Sequence, residues 1–231
     1  MKRSVIDPGV RRGAICSTVL LCAAAVLVAC SSTPPAPDWQ MSARASLERA
    51  QKAGLTGLSS IEAAEMARVR RELARTGRAD LLARAELGLC AARVAALDFS
   101  PCDAYDALAP DAAEAEQAYA RYLAGQPLPG DVVWLPEGQR PLVAGGEAAR
   151  RALPAVTDPL SRLVAAAVLM RRGDASPEVI TQAVETASAQ GWSRPLLAWL
   201  GVQRERARAA GDQAQADRVQ RRMDLILRDP R

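Results

Sequence analysis

The sequence predicts an all-α fold: an array of antiparallel helix pairs interrupted by one long Gly/Pro-rich loop. Three observations predict it. The 231 residues are 49% hydrophobic but only 3% aromatic, and 48 of them, a fifth of the chain, are Ala. A core built mainly from Ala, Leu and Val favours helices. Capping residues and glycines bracket the apolar stretches at helical lengths. In the last third, helix starts at 159, 177, 195 and 212 recur every 17–18 residues.

The chain begins with Lys2, Arg3, Arg11 and Arg12, followed by an apolar run from Ala14 to Val28 that ends in Leu27-Val28-Ala29-Cys30. A basic start, a short apolar stretch and small residues at a cleavage point define a secretory signal peptide over residues 1–29. The run is short for a membrane span, which needs ~20 residues. A hydrophobic residue, small residues and then Cys resemble the lipobox of bacterial lipoproteins. The resemblance implies that the Cys30 thiol carries diacylglycerol, that the peptide is cut before Cys30, and that the new amine is usually acylated. Two or three acyl chains, at ~0.8 kcal/mol per buried methylene, make a lasting anchor where one does not. Ser31 after the lipidated position, rather than Asp, implies the outer membrane.

Four of the 30 basic residues and one of the 26 acidic residues precede Cys30, so cleavage there lowers the net charge from +4 to +1. The pI of 9.0 mostly reflects the signal peptide. Bulk charge therefore does not point to nucleic acid. Residues 30–37, Cys30 and the Pro-rich run Ser31 to Pro37, form a semi-extended spacer. A single helical domain is expected over 38–231.

Asp38 can cap a helix to Ala53, before Gly54, with Trp39, Ala43, Leu47 and Ala50 on one face. Ser59-Ser60-Ile61-Glu62 has the form of a capping box and opens a second helix ending near Thr76-Gly77. A third runs from about Asp80 to Leu97, carrying Leu82, Cys90 and Val94 on its inner face. Pro110-Asp111 starts a fourth, to Ala124. Residues 125–146 hold five Gly and four Pro in 22 positions, a density that no helix survives. A short helix is expected at Glu147 to Leu153.

Asp158-Pro159 and Ser176-Pro177 each pair a cap with Pro at the first helical position. They open helices that end before Gly173 and Gly191. Ser193 to Pro195 and Asp212 open the last two. A helix-pair period of about 35 residues, with the turn Gly211-Asp212 followed by Ala216, resembles tetratricopeptide arrays. The resemblance covers about 70 residues and implies a right-handed array, not a ligand. The mature chain also resembles uncharacterised bacterial lipoproteins with Ala-rich helical bodies.

Candidate chemistry is sparse. The chain has no His, which excludes Ser-His and Cys-His pairs and the usual His-based metal sites. No cofactor and no metal is expected. Cys90 and Cys102 face an oxidising compartment and are expected to form a structural disulfide rather than a redox pair, which would take the form Cys-x-x-Cys. Asp103, Asp106, Asp111, Glu114 and Glu116 could supply two carboxylates for cleaving a peptidoglycan sugar. Acids favouring a helix N-terminus account for most of them. The groups Arg68-Arg70-Arg71, Arg150-Arg151, Arg204-Arg206-Arg208 and Arg221-Arg222 read as solvated faces with ion pairs. Trp192 and Trp199 are expected to anchor the last helix pair.

Val132-Val133-Trp134-Leu135, four large apolar residues inside the 125–146 loop, is the one departure from a plain helical body. Long loops inside domains are usually functional or disordered. The cluster is either a plug beneath the helices or a contact surface. The plug is the favoured expectation, with Trp134 in the core. The function expected is a lipid-anchored, non-enzymatic scaffold that binds an envelope protein. A peptidoglycan-directed enzyme using carboxylates and a carrier of apolar ligand are the alternatives.

Overall fold

A computed structural model describes residues 36–228. The expected signal peptide, Cys30 and the expected spacer up to residue 35 lie outside the described residues. The ten α-helices described are α1 (Asp38–Leu55), α2 (Ser59–Ala74), α3 (Ala79–Ala95), α4 (Asp103–Asp106), α5 (Glu114–Leu123), α6 (Gly146–Ala152), α7 (Pro159–Arg171), α8 (Pro177–Ala189), α9 (Ser193–Ala209) and α10 (Gln213–Leu227). Short 3-10 turns lie at Ala109–Asp111, Pro129–Val133, Glu137–Leu142 and Leu153–Ala155. There is no strand among the described residues. No helix among them is long and apolar enough to cross a membrane.

Local chemistry sets most helix ends. Asp158 accepts from the Ser161 amide at 2.7 Å, and Asp212 accepts from Gln215 at 2.9 Å. These bonds satisfy N–H groups that a helix leaves open in its first turn. Gly173, Gly191 and Gly211 follow helices in the left-handed region, where only Gly escapes a Cβ clash. Three expected ends are corrected. The Ser59–Glu62 capping box does not form: Leu58 precedes the helix and no side chain caps it. Ser176 stands at the cap position before Pro177, as expected, but its side chain makes no cap bond. Helix α1 runs through Gly54 to Leu55 and turns at Gly57, whose φ is +82°. Pro110-Asp111 forms a 3-10 turn, and α5 starts only at Glu114.

Helices next to each other in sequence pack on each other: α1 on α2, α7 on α8, α8 on α9 and α9 on α10. Helix α3 breaks this pattern by touching α1, α2, α4, α5 and α7. Its small residues Ala83, Ala91 and Ala95 are fully buried or nearly so, letting neighbouring helices approach. Helix α7 is buried on every side from Leu163 to Leu169, as an all-round apolar helix must be. A smaller apolar cluster, including Ala43, Ala50, Met66, Val69 and Leu73, fills the space between α1, α2 and α3.

The C-terminal helices return to the N-terminal ones. Trp199 is completely buried, and its indole N–H donates to the Ala95 carbonyl at 3.0 Å. The Ser193 hydroxyl donates to the Thr56 carbonyl, and Arg194 donates to Ser59 and Glu62. Trp192 is only half-buried, at the edge of the main core. Cys90 on α3 and Cys102 before α4 sit at disulfide distance, with Cα atoms 6.0 Å apart, within the range a disulfide spans.

Two outcomes follow. Trp199→Ala should cost roughly 3–5 kcal/mol through the cavity it leaves, read as a lower urea midpoint. The Cys90–Cys102 bond closes a loop 12 residues long, so its reduction should cost ~2–3 kcal/mol and lower Tm by several degrees. Intact mass after alkylation checks the bond. Two alkylated thiols in the unreduced protein would contradict it.

Candidate functional site

The 125–146 segment is not structureless. Two 3-10 turns carry it, and one ion pair fixes the first. Asp131 is buried, and Arg121 on α5 meets it with two N–H donors at 2.6 and 3.0 Å. The same carboxylate accepts from the Leu128 amide at 2.8 Å. Paired, two-pronged contacts of this kind fix orientation as well as adding energy. Arg140 secures the far side, donating to the carbonyls of Leu135 and Val133 at 2.9 and 3.3 Å. A tight approach closes the segment: a Cβ on Gly145 would lie 2.5 Å from Arg172 Nη2, and its φ is +69°.

The apolar cluster divides between the two roles considered for it. Leu135 is 1% exposed and packs in the main core. Val132 is half-buried. Val133 and Trp134 are 67% and 50% exposed. The expectation that Trp134 plugs the core is therefore corrected. The 3-10 turn ends at Trp134, whose amide donates to the Asp131 carbonyl. With Asp131 tied inward to Arg121, the core space beneath the turn goes to Leu135, and the indole stays at the surface.

Trp134 forms one wall of a groove of about 490 Å³. Helix α1 contributes Leu47, α3 contributes Arg84, Leu87 and Gly88, and α5 contributes Ala115, Glu116 and Tyr119. Leu135, Pro136, Glu137 and Arg140 complete it. Gly88 has a packing role: the Gln51 amide donates to its carbonyl at 2.8 Å, and a Cβ there would stand 3.1 Å from that nitrogen. Glu116 is 4% exposed. Its Oε1 accepts from Arg84 Nε at 2.6 Å, and its Oε2 has no hydrogen-bond partner.

Further unpartnered polar atoms lie nearby. The Tyr122 hydroxyl and both polar atoms of the buried Gln139 side chain lack partners. Each such group costs ~1–3 kcal/mol when nothing satisfies it, and native proteins hold few of them. The Tyr119 and Tyr122 rings stack with centroids 6.2 Å apart. Burial pushes the Tyr119 hydroxyl up to about 12. Burial, reinforced by Tyr119, pushes Tyr122 up further. Both stay protonated at neutral pH.

The acidic residues singled out in the sequence do not gather. Asp103 lines one depression with Glu86 and Arg93, and Asp106 another with Phe99 and Arg171. Glu116 lines the groove, while Asp111 and Glu114 are exposed on the surface. Among the described residues no group of three or more Cys, Asp or Glu could hold a metal. The arginine groups are partly tied down: Arg70 meets buried Glu86 with two bonds, and Arg204 and Arg208 share Glu205. Residue patterning pointed to neither the Arg121–Asp131 tie nor the Arg84–Glu116 pair. The second joins residues 32 positions apart, beyond any helical spacing. No family model matches the chain, and neither a curated protein nor a solved structure matches it.

Paired substitutions check the division of the loop. Leu135→Ala should cost about 2–5 kcal/mol. Trp134→Ala should cost under about 1 kcal/mol, in the range of a surface change. Equal losses in urea melts would contradict the assignment. The Arg121 guanidinium holds the Asp131 carboxyl below its ordinary value. A folded-state pKa below the unfolded one adds stability that is present above about pH 4 and lost as pH falls through the folded value. Asp131→Asn should therefore flatten the fall of the urea midpoint below about pH 4.

Proposed function

We propose that the chain is a lipid-anchored lipoprotein on the periplasmic face of the bacterial outer membrane, whose helical domain is a non-enzymatic scaffold for an envelope protein. The observation that carries the scaffold reading is the exposed Val133-Trp134 pair on a tied loop. Exposed apolar residues invite association, and a rigid aromatic anchor loses little freedom when a partner covers it. The anchor reading is supported by Leu27-Val28-Ala29-Cys30. Stacking of α7, α8, α9 and α10, each on its neighbour, supports a right-handed tetratricopeptide-like array, an architecture that builds extended contact surfaces.

Two experiments test these readings. Cys30→Ser should move the protein out of the membrane fraction, and a variant that stays there with an otherwise matured mass would refute the anchor. A photo-crosslinking residue in place of Trp134 should yield one discrete adduct in intact cells, lost on Val133→Asp. The same residue at exposed Glu147, on α6, should yield none. Identical adduct patterns from the two positions would refute the scaffold reading.

A further inference from the structure

Helix α10 packs chiefly on α9 and turns one side inward. Ala216 and Val219 are buried, and Met223 and Ile226 pack against the main core. On the other side Arg218, Arg221, Arg222 and Leu225 follow at helical spacing, so they share one face. All four are exposed. Arginines of other helices meet carboxylates: Arg49 meets Glu65, Arg70 meets Glu86, Arg121 meets Asp131, and Arg204 and Arg208 share Glu205. The ion pairs expected for Arg221 and Arg222 do not form, and no residue of α10 makes one among the described residues. Its two acids bond to glutamines instead, Asp217 accepting from Gln213 at 2.7 Å and Asp224 from Gln220 at 2.8 Å. Arg218 gives its Nε–H to Gln215, a neutral partner, and keeps its charge uncompensated. A helix that closes an array needs a polar outer face for solubility. That need accounts neither for three unpaired charges of one sign nor for Leu225 among them, which is 73% exposed.

We propose that this face of α10 docks on an anionic phospholipid bilayer: Arg218, Arg221 and Arg222 meet headgroup phosphates, and Leu225 enters the boundary between headgroups and acyl chains. The charges are complementary, and guanidinium groups match phosphate oxygens in geometry as well as sign. A basic face with an apolar residue at its centre is what a helix lying in a membrane interface presents. An acidic protein would answer the arginines but gives no reason for an exposed Leu between them. Three arginines and one leucine bind weakly by themselves. A tethered domain needs no more, because a lipid anchor and a basic patch together hold where either alone does not, and tethering raises the effective concentration of the surface. The proposal rests on the anchor reading for what lies within reach, since Cys30 then holds the domain beside a bilayer.

The full chain as cells produce it is combined with vesicles of brominated phosphatidylcholine, alone or with an equal share of phosphatidylglycerol. Leu225→Trp reports contact, because bromine quenches an indole that reaches the acyl boundary. The unsubstituted chain supplies the background of the four native indoles. The added emission should be quenched in the anionic vesicles and not in the neutral ones. High salt, with a screening length of about 3 Å at 1 M, should restore it. Arg221→Gln with Arg222→Gln should lower the docked-to-undocked ratio roughly tenfold to thirtyfold. Arg221→Lys with Arg222→Lys should keep most of it, which separates lost charge from a damaged helix. Docking and anchoring fail separately: a lipidated chain floats with both kinds of vesicle, whereas a docked α10 answers only to the anionic kind. An introduced indole quenched equally in both kinds, or in neither, would overturn the proposal. So would one that ignores anionic vesicles and shifts with polyglutamate, which would assign the face to an acidic protein.

Discussion

From Leu163 to Leu169, helix α7 exposes essentially nothing, and this all-round burial constrains everything else in the fold. Such a helix must be surrounded. Helices α3, α5 and α8 and the 3-10 segments after Leu135 and Leu153 surround it. With one Phe, three Tyr and four Trp in the whole chain, large side chains cannot fill wide gaps. Close approach replaces bulk: Ala165, Ala166 and Ala167 on α7 and Ala83, Ala91 and Ala95 on α3 are all buried. Close packing of small residues restores the dispersion contacts that larger ones would have made. Where one large residue is used, at Trp199, its polar atom is matched to a carbonyl on α3, as buried indoles require.

The groove follows from this arrangement. Helix α5 must reach both α3 and α7, and the chain leaves it through a run too rich in Pro and Gly to form another helix. The run is held by side chains instead: Arg121 on Asp131, Arg140 on two carbonyls and Arg172 on the Val143 carbonyl. These ties commit Leu135 and Leu142 to the core and leave Val133 and Trp134 outside. An apolar surface held rigidly at the edge of a groove differs physically from a mobile loop, because little conformational entropy remains to be lost when something binds.

Helix existence was legible in the sequence because it is set locally. Asp158-Pro159, Asp212 and the glycines at 173, 191 and 211 mark their ends within a residue or so of where the chain turns. The capping box at Ser59–Glu62 misled because Arg194, from a distant helix, takes up Ser59 and Glu62. A tertiary partner outbid a local one. The apolar cluster at 132–135 was visible as an anomaly, but its division between core and surface was not. That division depends on Asp131 finding Arg121, a contact no periodicity encodes. Glu116 drew notice only as one acid among several near a helix start. Its burial and its open oxygen arise from α3 and the loop closing over it.

If α3 and α7 organise the domain, stability must be graded outward from them rather than shared evenly along an array of helix pairs. Helix α10 packs chiefly on α9 and leaves Leu225 and Leu227 in solvent. Native-state amide hydrogen exchange reads this gradient directly, because buried elements open only with global unfolding while terminal ones open alone. The amides of 163–169 should exchange slowest and share the dependence of global unfolding on denaturant, and those of 221–227 should exchange far faster through local opening. Equal protection across α7 and α10 would contradict a fold built around one buried helix.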